Sequence, residues 1–502
     1  MIDEPSGKTK ILSTAAWGDL RPRERDERAI LGQFFTSTGT ARFMVDLFEE
    51  RDSSECRLLD PGAGIGSLSD AFLEKWVTAR FGFERVSLDA FEIDDSLCSA
   101  LERTLSKYSV RPDCSIRVRN TDFVDAASDW LSGSLFAQSL PKYTHAILNP
   151  PYKKIRSDSR YRIALRRAGI ETVNLYTAFV ALALALLDAH GQLVAIIPRS
   201  FCNGPYYRPF RSFILERSSL RRMHLFQSRS RVFREDEVLQ ENLIILLERD
   251  GLQGPVTIST STDDSFSDLT IYTYPFDQIV LPGDPESFIH VPASPIYNVI
   301  ETSPAIKYSL ADLGVSVSTG PVVDFRAKKH LRDNPGNDTA PLLYPSHFTD
   351  NGVSWPIGKR KRPNAIEIND ETRKWLYPNG YYCVVRRFSS KEEKRRLVAS
   401  VTEPQSFPYA LHLGFENHLN VLHKGRSGLP VALAYGLASY LNTTAVDEYF
   451  RRFNGHTQVN ATDLRLMRYP SLALLTKFGE WAMQHKVTSQ STIDAKFDVL
   501  IL

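Results

Sequence analysis

The chain of 502 residues is long enough to bury a large core and to form two or more domains. Its 42% hydrophobic and 24% charged residues are ordinary for a soluble globular protein, and a net charge of only +2 excludes a basic field over the whole surface. The five cysteines are scattered without metal-ligand spacing, which predicts reduced thiols, no metal site and a cytoplasmic protein.

A glycine-rich turn is the first informative segment. After a polar N-terminus, residues 31–37 read Leu-Gly-Gln-Phe-Phe-Thr-Ser, and a helical pattern runs over 41–48. Residues 57–68 then predict a strand, a turn and a helix start, with Asp60 at the strand end and Gly62, Gly64 and Gly66 in the turn. Glycines let the backbone approach a ligand, and a helix N-terminus favours a carboxylate, although nucleotide-binding folds of several kinds share such a turn.

The next two predicted strands also end in groups that suit an adenosine-containing cofactor. The strand over 86–93 ends in Glu92-Ile93-Asp94, and the carboxylate of Glu92 is able to accept both ribose hydroxyls. The strand over 115–119 leads into Asp122, a candidate acceptor for an adenine amino group, and Phe123, a candidate stacking partner.

Residues 145–152, His-Ala-Ile-Leu-Asn-Pro-Pro-Tyr, predict a buried strand that ends in a rigid turn. The two prolines forbid continued strand or helix and restrict the residues before them, so Asn149 and Pro150 have little backbone freedom. The Asn149 amide oxygen and the Pro150 carbonyl suit hydrogen bonds from a planar amino group, and the Tyr152 ring suits stacking against the group's ring. The basic residues Lys153 and Lys154 follow and suit phosphate contacts.

Strands alternating with helices continue to about residue 250 and predict a mostly parallel, doubly wound α/β sheet. The apolar helix over 175–187 is too short to span a bilayer, so no membrane association is expected. The remaining elements are a strand over 191–198, a helix over 207–216, and strands over 220–226 and 242–247.

Beyond residue 250 the composition changes, which predicts a catalytic domain over 1–250, a connector over 251–300 and a second, α+β domain over 301–502. The second domain interleaves basic clusters with aromatic residues, a pattern that suits phosphates and base edges. The candidate DNA-binding residues there are Arg326, Lys328, Arg386 and Arg387.

The Asn-Pro-Pro-Tyr turn at 149–152, the Gly-Gln-Phe-Phe-Thr segment at 32–36 and the Asp-Pro-Gly-Ala-Gly-x-Gly loop at 60–66 resemble gamma-class N6-adenine DNA methyltransferases. The resemblance covers nearly the whole chain and is closest to the PstI/BsuBI-type modification methylases. It implies a seven-stranded class I methyltransferase sheet whose last strand inserts antiparallel, followed by a DNA target-recognition domain.

The resemblance also implies cofactor, partners and further site residues. S-adenosylmethionine is the expected cofactor, with Gln33, Phe34 and Thr36 packing over its methionine end. Phe233 is expected to sandwich a flipped adenine opposite Tyr152. The expected substrate is double-stranded DNA at CTGCAG, modified by an adenine-specific, monomeric enzyme that is paired functionally, not physically, with a restriction endonuclease.

Three other functions share parts of this pattern. N4-cytosine methyltransferases are close, although serine is commoner than asparagine at their first motif position. Enzymes that methylate glutamine in proteins, or RNA, carry Asn-Pro-Pro-Tyr but typically lack the segment at 32–36 and a large C-terminal domain. A non-catalytic DNA-binding protein is disfavoured by the intact turn at 149–152 and the intact loop at 62–66.

Overall fold

A computed structural model of the chain describes residues 36–51, 53–78, 80–134, 140–226, 241–292, 298–349, 352–358, 362–389, 393–454, 457–485 and 489–501. The chain forms two compact units. The first comprises Met1–Phe201 with Tyr206–Ile279, and the second comprises Cys202–Pro205 with Val280–Leu502.

The first unit alternates strands and helices, as the sequence predicts. Its strands are β1 (Glu55–Pro61), β2 (Arg85–Glu92), β3 (Cys114–Asn120), β4 (Tyr143–Leu148), β5 (Leu187–Pro198), β6 (Ser218–Phe226), β7 (Asn242–Arg249), β8 (Val256–Ser261) and β9 (Thr270–Tyr274). Its helices are α1 (Thr38–Asp46), α2 (Ser67–Val77), α3 (Asp95–Ser109), α4 (Phe123–Leu131), α5 (Arg160–Arg167), α6 (Leu175–Leu186), α7 (Arg208–Arg217) and α8 (Phe276–Ile279).

All nine strands join one sheet in the order β3-β2-β1-β4-β5-β7-β6-β8-β9. Strands β1 to β5 pair in parallel, and β7 lies antiparallel between β5 and β6. The predicted α/β fold and the predicted antiparallel insertion are therefore confirmed. The strand order reverses between β1 and β4, and ligands of open α/β sheets bind at the carboxyl ends of strands at such a switch point.

The sheet is two strands wider than predicted, and the extra strands lie in the segment predicted as a connector. Strand β8 pairs in parallel with β6, and β9 pairs antiparallel with β8 at the sheet edge. The sequence of β8, Val-Thr-Ile-Ser-Thr-Ser, is rich in serine and threonine, which favoured a loop. Its β-branched valine, isoleucine and threonine residues instead favour a strand, and this strand is buried beside β6.

The core of the first unit lies on both faces of the sheet. Helix α6 is buried on nearly every side, which explains why its sequence is apolar without helical periodicity. Helices α1 and α2 contribute Met44 and Phe72 to a hydrophobic cluster in which both side chains are fully buried together with Leu58 of β1. This packing fixes the carboxyl ends of β1 and β4.

The second unit is α+β, as predicted. Its strands are β10 (Ile306–Tyr308), β11 (Ser316–Thr319), β12 (Leu331–Arg332), β13 (Thr339–Leu343), β14 (Phe348–Thr349), β15 (Gly352–Val353), β16 (Ala365–Glu367), β17 (Leu376–Pro378), β18 (Tyr382–Arg386), β19 (Ala399–Thr402), β20 (His412–Phe415), β21 (Leu419–His423) and β22 (Tyr469–Pro470). Its helices are α9 (Val299–Thr302), α10 (Asp324–Ala327), α11 (Val431–Leu441), α12 (Thr444–Phe453), α13 (Ala461–Leu466), α14 (Leu472–Gln484) and α15 (Gln490–Ile501).

Two sheets organise this unit. Four strands pair in the order β11-β21-β18-β19, and five pair in the order β12-β16-β13-β20-β17. Strands β20 and β21 are consecutive in the chain but belong to different sheets, so the turn between them joins the two sheets. Within the described ranges, no helix is long and apolar enough to cross a membrane.

Candidate active site

The glycine turn at the end of β1 has backbone angles that favour glycine. Gly62, Gly64 and Gly66 have φ of 74°, 57° and 89°. The N–H groups of Gly62 and Ala63 both donate to the carbonyl of Phe91 at 2.8 Å, which ties the turn to β2. A Cβ atom at Gly66 would lie 2.7 Å from Cδ1 of Leu101, so space as well as conformation requires glycine there.

Glu92, at the end of β2, is 4% exposed and holds the turn with its carboxylate. Oε2 accepts the N–H of Gly64 at 2.9 Å. Oε1 accepts the N–H groups of Ile93 at 2.9 Å and Asp94 at 3.0 Å. Burial raises the pKa of Glu92 against these three bonds. A carboxylate has about four acceptor positions, so one position on Oε2 is left over after these bonds.

Asp122 follows β3 and caps α4, and its carboxylate is fully engaged. Oδ1 accepts the N–H groups of Val124 and Asp125, at 2.9 and 3.3 Å. Oδ2 accepts from the hydroxyl of Tyr161 at 2.5 Å and from Nη2 of Arg160 at 3.1 Å. An adenine amino group would therefore have to replace Tyr161 or Arg160 at Asp122, a competition that the sequence did not reveal.

A cavity of 570 Å³ opens at this edge of the sheet. Its lining contains nine residues that the sequence predicted for cofactor or DNA: Thr36, Gly62, Gly64, Glu92, Asp122, Phe123, Asn149, Lys153 and Lys154. The cavity brings together the ends of β1 to β4, as the strand order requires. Its volume is typical of a small-molecule site, about 300–1,000 Å³.

Among the lining residues that the sequence analysis did not predict, Ile93 and Tyr161 bear most on ligand binding. Ile93 is 56% exposed although it is apolar, and it lines the cavity directly after Glu92. Phe123, the predicted stacking residue, is instead buried between Phe91 and Phe179, with ring centroids 5.3 Å from each. Ile93 therefore offers a ligand more exposed apolar surface than Phe123 does. Tyr161 is the second of these residues, and only its contact with Asp122 reveals it.

Asp60, predicted with the glycine turn as a cofactor-binding residue, is not among the residues that line the cavity. It is fully buried, and Oδ2 accepts from the hydroxyl of Ser69 in α2 at 2.6 Å. Burial raises the pKa of Asp60 to about 7, and the neighbouring charge of Glu92 acts in the same direction. Asp60 thus supports the helix start behind the glycine turn. Gly66 also lies outside the cavity lining.

The Asn-Pro-Pro-Tyr turn follows β4, and its asparagine faces the cavity. Nδ2 of Asn149 donates to Oγ1 of Thr36 at 3.1 Å. The hydroxyl of Tyr152 lies 3.2 Å from Oδ1 of Asn149 and 3.2 Å from the carbonyl of Ile196 in β5. Burial raises the pKa of Tyr152, so this hydroxyl stays protonated as a donor. Thr36 and Tyr152 therefore orient the amide from both ends.

Aromatic residues extend from the turn along the first unit. The ring of Tyr176 lies 6.1 Å from that of Tyr152 and nearly perpendicular to it. Tyr207 lies 5.9 Å from Tyr176, and its hydroxyl accepts from Nδ2 of Asn174 at 2.5 Å. Pro150 is buried. The predicted residues Gln33, Phe34 and Phe233 lie outside the described residues.

The four basic residues predicted in the second unit have different surroundings. Arg326 and Lys328 are exposed, and the guanidinium of Arg326 lies 5.4 Å from the ring of Phe325. Arg386 forms an ion pair with Glu393. Arg387 is partly buried, and its guanidinium donates to the carbonyl of Asn417 at 3.0 Å.

Comparison with known proteins places the chain in a family. The sequence model of the Eco57I restriction-modification methylases matches residues 113–233. The chain is 50% identical to type II methyltransferase M.BsuBI of Bacillus subtilis over 475 residues, 94% of each chain. It is 41% identical to type II methyltransferase M.PstI of Providencia stuartii, over 90% of this chain and 91% of that protein. The chain belongs to the type II methyltransferase family.

A solved structure supports the fold of this type II methyltransferase. The type IIL restriction-modification enzyme MmeI, in complex with DNA, aligns with a TM-score of 0.53 at 11% identity, over 89% of this chain and 69% of that one. S-adenosylmethionine is the cofactor of the methyltransferase. The cavity fits it, because Glu92 offers a buried carboxylate acceptor and Ile93 offers an exposed apolar surface beside the glycine turn.

Proposed function

We propose that this methyltransferase modifies the N6 amino group of an adenine in double-stranded DNA. The observation that carries the proposal is the placement of Asn149. Its amide lies at the cofactor cavity, oriented by Thr36 and Tyr152, with the carbonyl of Pro150 next in the chain. The strand that carries Asn149 pairs directly with the strand that carries the glycine turn.

The exocyclic nitrogen of adenine is a poor nucleophile because its lone pair is delocalised into the ring. S-adenosylmethionine supplies an electrophilic methyl group. Oδ1 of Asn149 and the Pro150 carbonyl accept hydrogen bonds from the two amino hydrogens, which favours a tetrahedral nitrogen and directs its lone pair. Because a carbonyl oxygen accepts up to two hydrogen bonds, the contact of Oδ1 with Tyr152 does not by itself prevent a bond from the substrate.

Catalysis is then mainly a matter of position and electrostatics. As the nitrogen–carbon bond forms, the carbon–sulfur bond would break and a neutral thioether would leave, so positive charge develops on the amino nitrogen. The two acceptor oxygens and the Tyr152 ring face favour that charge. The methylated amino group becomes acidic once it is charged, so its proton leaves without a strong general base. The amide of Asn149 itself does not need to titrate.

The target adenine is stacked inside the duplex, so access requires extrusion of the base. Extrusion costs roughly a few kcal/mol. Stacking on Tyr152, with Phe233 on the other side, offsets that cost by roughly 1–3 kcal/mol per base. Lys153 and Lys154, both exposed at the cavity, are placed to contact the phosphates beside the extruded nucleotide.

Similarity to M.BsuBI and M.PstI over nearly the whole chain supports CTGCAG as the site and a cognate restriction endonuclease as the functional counterpart. In this proposal the first unit is catalytic, the second unit recognises the target, and the enzyme acts as a cytoplasmic monomer.

The test is to incubate unmethylated plasmid with the enzyme and S-adenosylmethionine, digest the DNA to nucleosides and identify the modified base. N6-methyladenine is expected, with sequencing for modified bases locating it within CTGCAG. N4-methylcytosine would contradict the assignment of the base. Binding of DNA without any methyl transfer would favour the non-catalytic alternative.

A further inference from the structure

The turn between β20 and β21, Glu416-Asn417-His418, holds one imidazole in a fixed direction. Glu416 is 1% exposed, and both of its oxygens contact His418. Oε2 accepts the backbone N–H of His418 at 2.9 Å, and Oε1 lies 2.5 Å from Nδ1 of the ring. Since a carboxylate accepts, Nδ1 carries the proton, and Nε2 is the remaining polar atom of a side chain that is 39% exposed.

Residues that directly follow β18 make this turn rigid. The ring of Phe388 lies 4.7 Å from the imidazole of His418. The backbone N–H of Arg387 donates to the carbonyl of His418 at 2.8 Å. The guanidinium of Arg387 donates to the carbonyl of Asn417 at 3.0 Å and to Oε1 of Gln458 at 3.3 Å. The imidazole is therefore preorganised, so binding through it costs little conformational entropy.

Basic and aromatic groups lie on the neighbouring segment of the same unit. The N–H of Asn417 donates to the carbonyl of Val322 at 2.9 Å, just before α10. That helix and the turn after it expose Arg326 and Lys328, and Phe325 is 73% exposed. Flexible basic side chains suit phosphates, whereas a polar atom held in one direction suits a base edge.

Two other roles for His418 fit less well. A metal site would need more ligands, and no group of three or more histidine, cysteine, aspartate or glutamate residues is placed to hold a metal in the described segments. A purely structural role would explain the bonds of Nδ1 and would leave Nε2 to bond to solvent. Within the part of the chain that the structure describes, Nε2 has no hydrogen-bond partner.

We propose that His418 is a specificity-determining residue that contacts a base edge in the major groove, with Glu416 as its positioning residue. The proposal rests on the proposed function and names one contact within it. A neutral ring accepts at Nε2 from the amino group of cytosine or adenine, and a protonated ring donates to guanine N7 or O6. Either contact concerns one base pair of the recognition site.

The experiment compares methylation rates on a pooled DNA library that contains the site of the wild-type enzyme and every single-base-pair variant of it. His418→Ala is expected to lose roughly 10-fold in discrimination at one base pair, with the other positions unchanged. Glu416→Gln is expected to relax the same base pair to a smaller extent. The affinity for S-adenosylmethionine stays unchanged in both variants.

His485→Ala is the matched control, because His485 is another exposed imidazole of the second unit and stacks on Trp481 at 5.0 Å. It is expected to leave the profile unchanged. A uniform loss of rate over all sequences in both His418→Ala and Glu416→Gln overturns the proposal, and if His418→Ala does not fold, the profile of Glu416→Gln decides. A wild-type enzyme that methylates no DNA defeats the proposed function instead.

Discussion

Replacing Glu92 with glutamine is expected to weaken the binding of S-adenosylmethionine about 10- to 100-fold. In the wild type, the two carboxylate oxygens accept three backbone N–H groups, from Gly64, Ile93 and Asp94. A glutamine amide has one oxygen and one NH2 group. Its NH2 group would therefore face a backbone N–H that the carboxylate accepts in the wild type, and two donors form no hydrogen bond. If Oε1 keeps its two partners, the glycine turn loses its bond to Glu92, and the ribose loses a charged acceptor.

The magnitude follows from the lost bonds. A hydrogen bond to a charged group contributes about 1.5–3 kcal/mol, and each 1.4 kcal/mol changes a dissociation constant about tenfold. Loss of the ribose contact alone gives the expected 10- to 100-fold change. Loss of the bond from Gly64 lowers the free energy of unfolding of the ligand-free protein by a similar amount, which denaturant titration measures separately.

Isothermal titration calorimetry with S-adenosylmethionine and S-adenosylhomocysteine provides the assay. Asp95→Asn is the matched control, since it removes an equal charge at an exposed position three residues along the chain without touching Gly64. Both ligands should weaken in Glu92→Gln and not in the control. A dissociation constant within about twofold of the wild type, in a folded Glu92→Gln protein, would refute the role of this carboxylate.

Three further substitutions test the surroundings of the site. Asp60, with a folded pKa of about 7 against an ordinary 3.8, binds its proton more tightly when folded, so its contribution to stability falls as pH rises from 4 to 7. The free energy of unfolding of Asp60→Asn, relative to wild type, should therefore rise by about 2 kcal/mol from pH 5 to 7 in urea titrations, and a constant difference would contradict the raised pKa. Tyr152→Phe removes the hydroxyl beside Asn149 and keeps the ring, so the single-turnover methylation rate should fall about 2- to 10-fold, and an unchanged rate would exclude an orienting role. Gly66→Ala forces a side chain at φ 89° against Leu101 and should lower the free energy of unfolding by about 1–3 kcal/mol, whereas unchanged stability would contradict this turn conformation.

The backbone of the site could be predicted from the sequence because local chemistry determines it. Glycines at 62, 64 and 66 permit a turn with positive φ, and prolines at 150 and 151 restrict the chain. Alternating strands and helices place both segments at one sheet edge. The predicted strand ends at Glu92 and at Asn149 therefore agree with the structure within one residue.

Side-chain partners could not be predicted in the same way, because they come from distant elements. Asp60 follows the pattern of a cofactor ligand, and the sequence did not reveal that Ser69 in α2 donates to its Oδ2. Asp122 is engaged by Tyr161, 39 residues along the chain. The sequence indicated a short β-like piece at 269–274, where β9 lies, but β8 was missed because its serine and threonine residues resemble a loop in composition.

The most direct test of the catalytic assignment is the single-turnover rate of Asn149→Ala, measured together with its affinity for S-adenosylmethionine. Asn120→Ala, at the exposed end of β3 in the same sheet, serves as the control. Loss of an acceptor that acts on the reacting nitrogen predicts a rate about 100- to 1,000-fold lower with a nearly unchanged dissociation constant. Methylation of DNA by Asn149→Ala at close to the wild-type rate would contradict the proposed role of the amide.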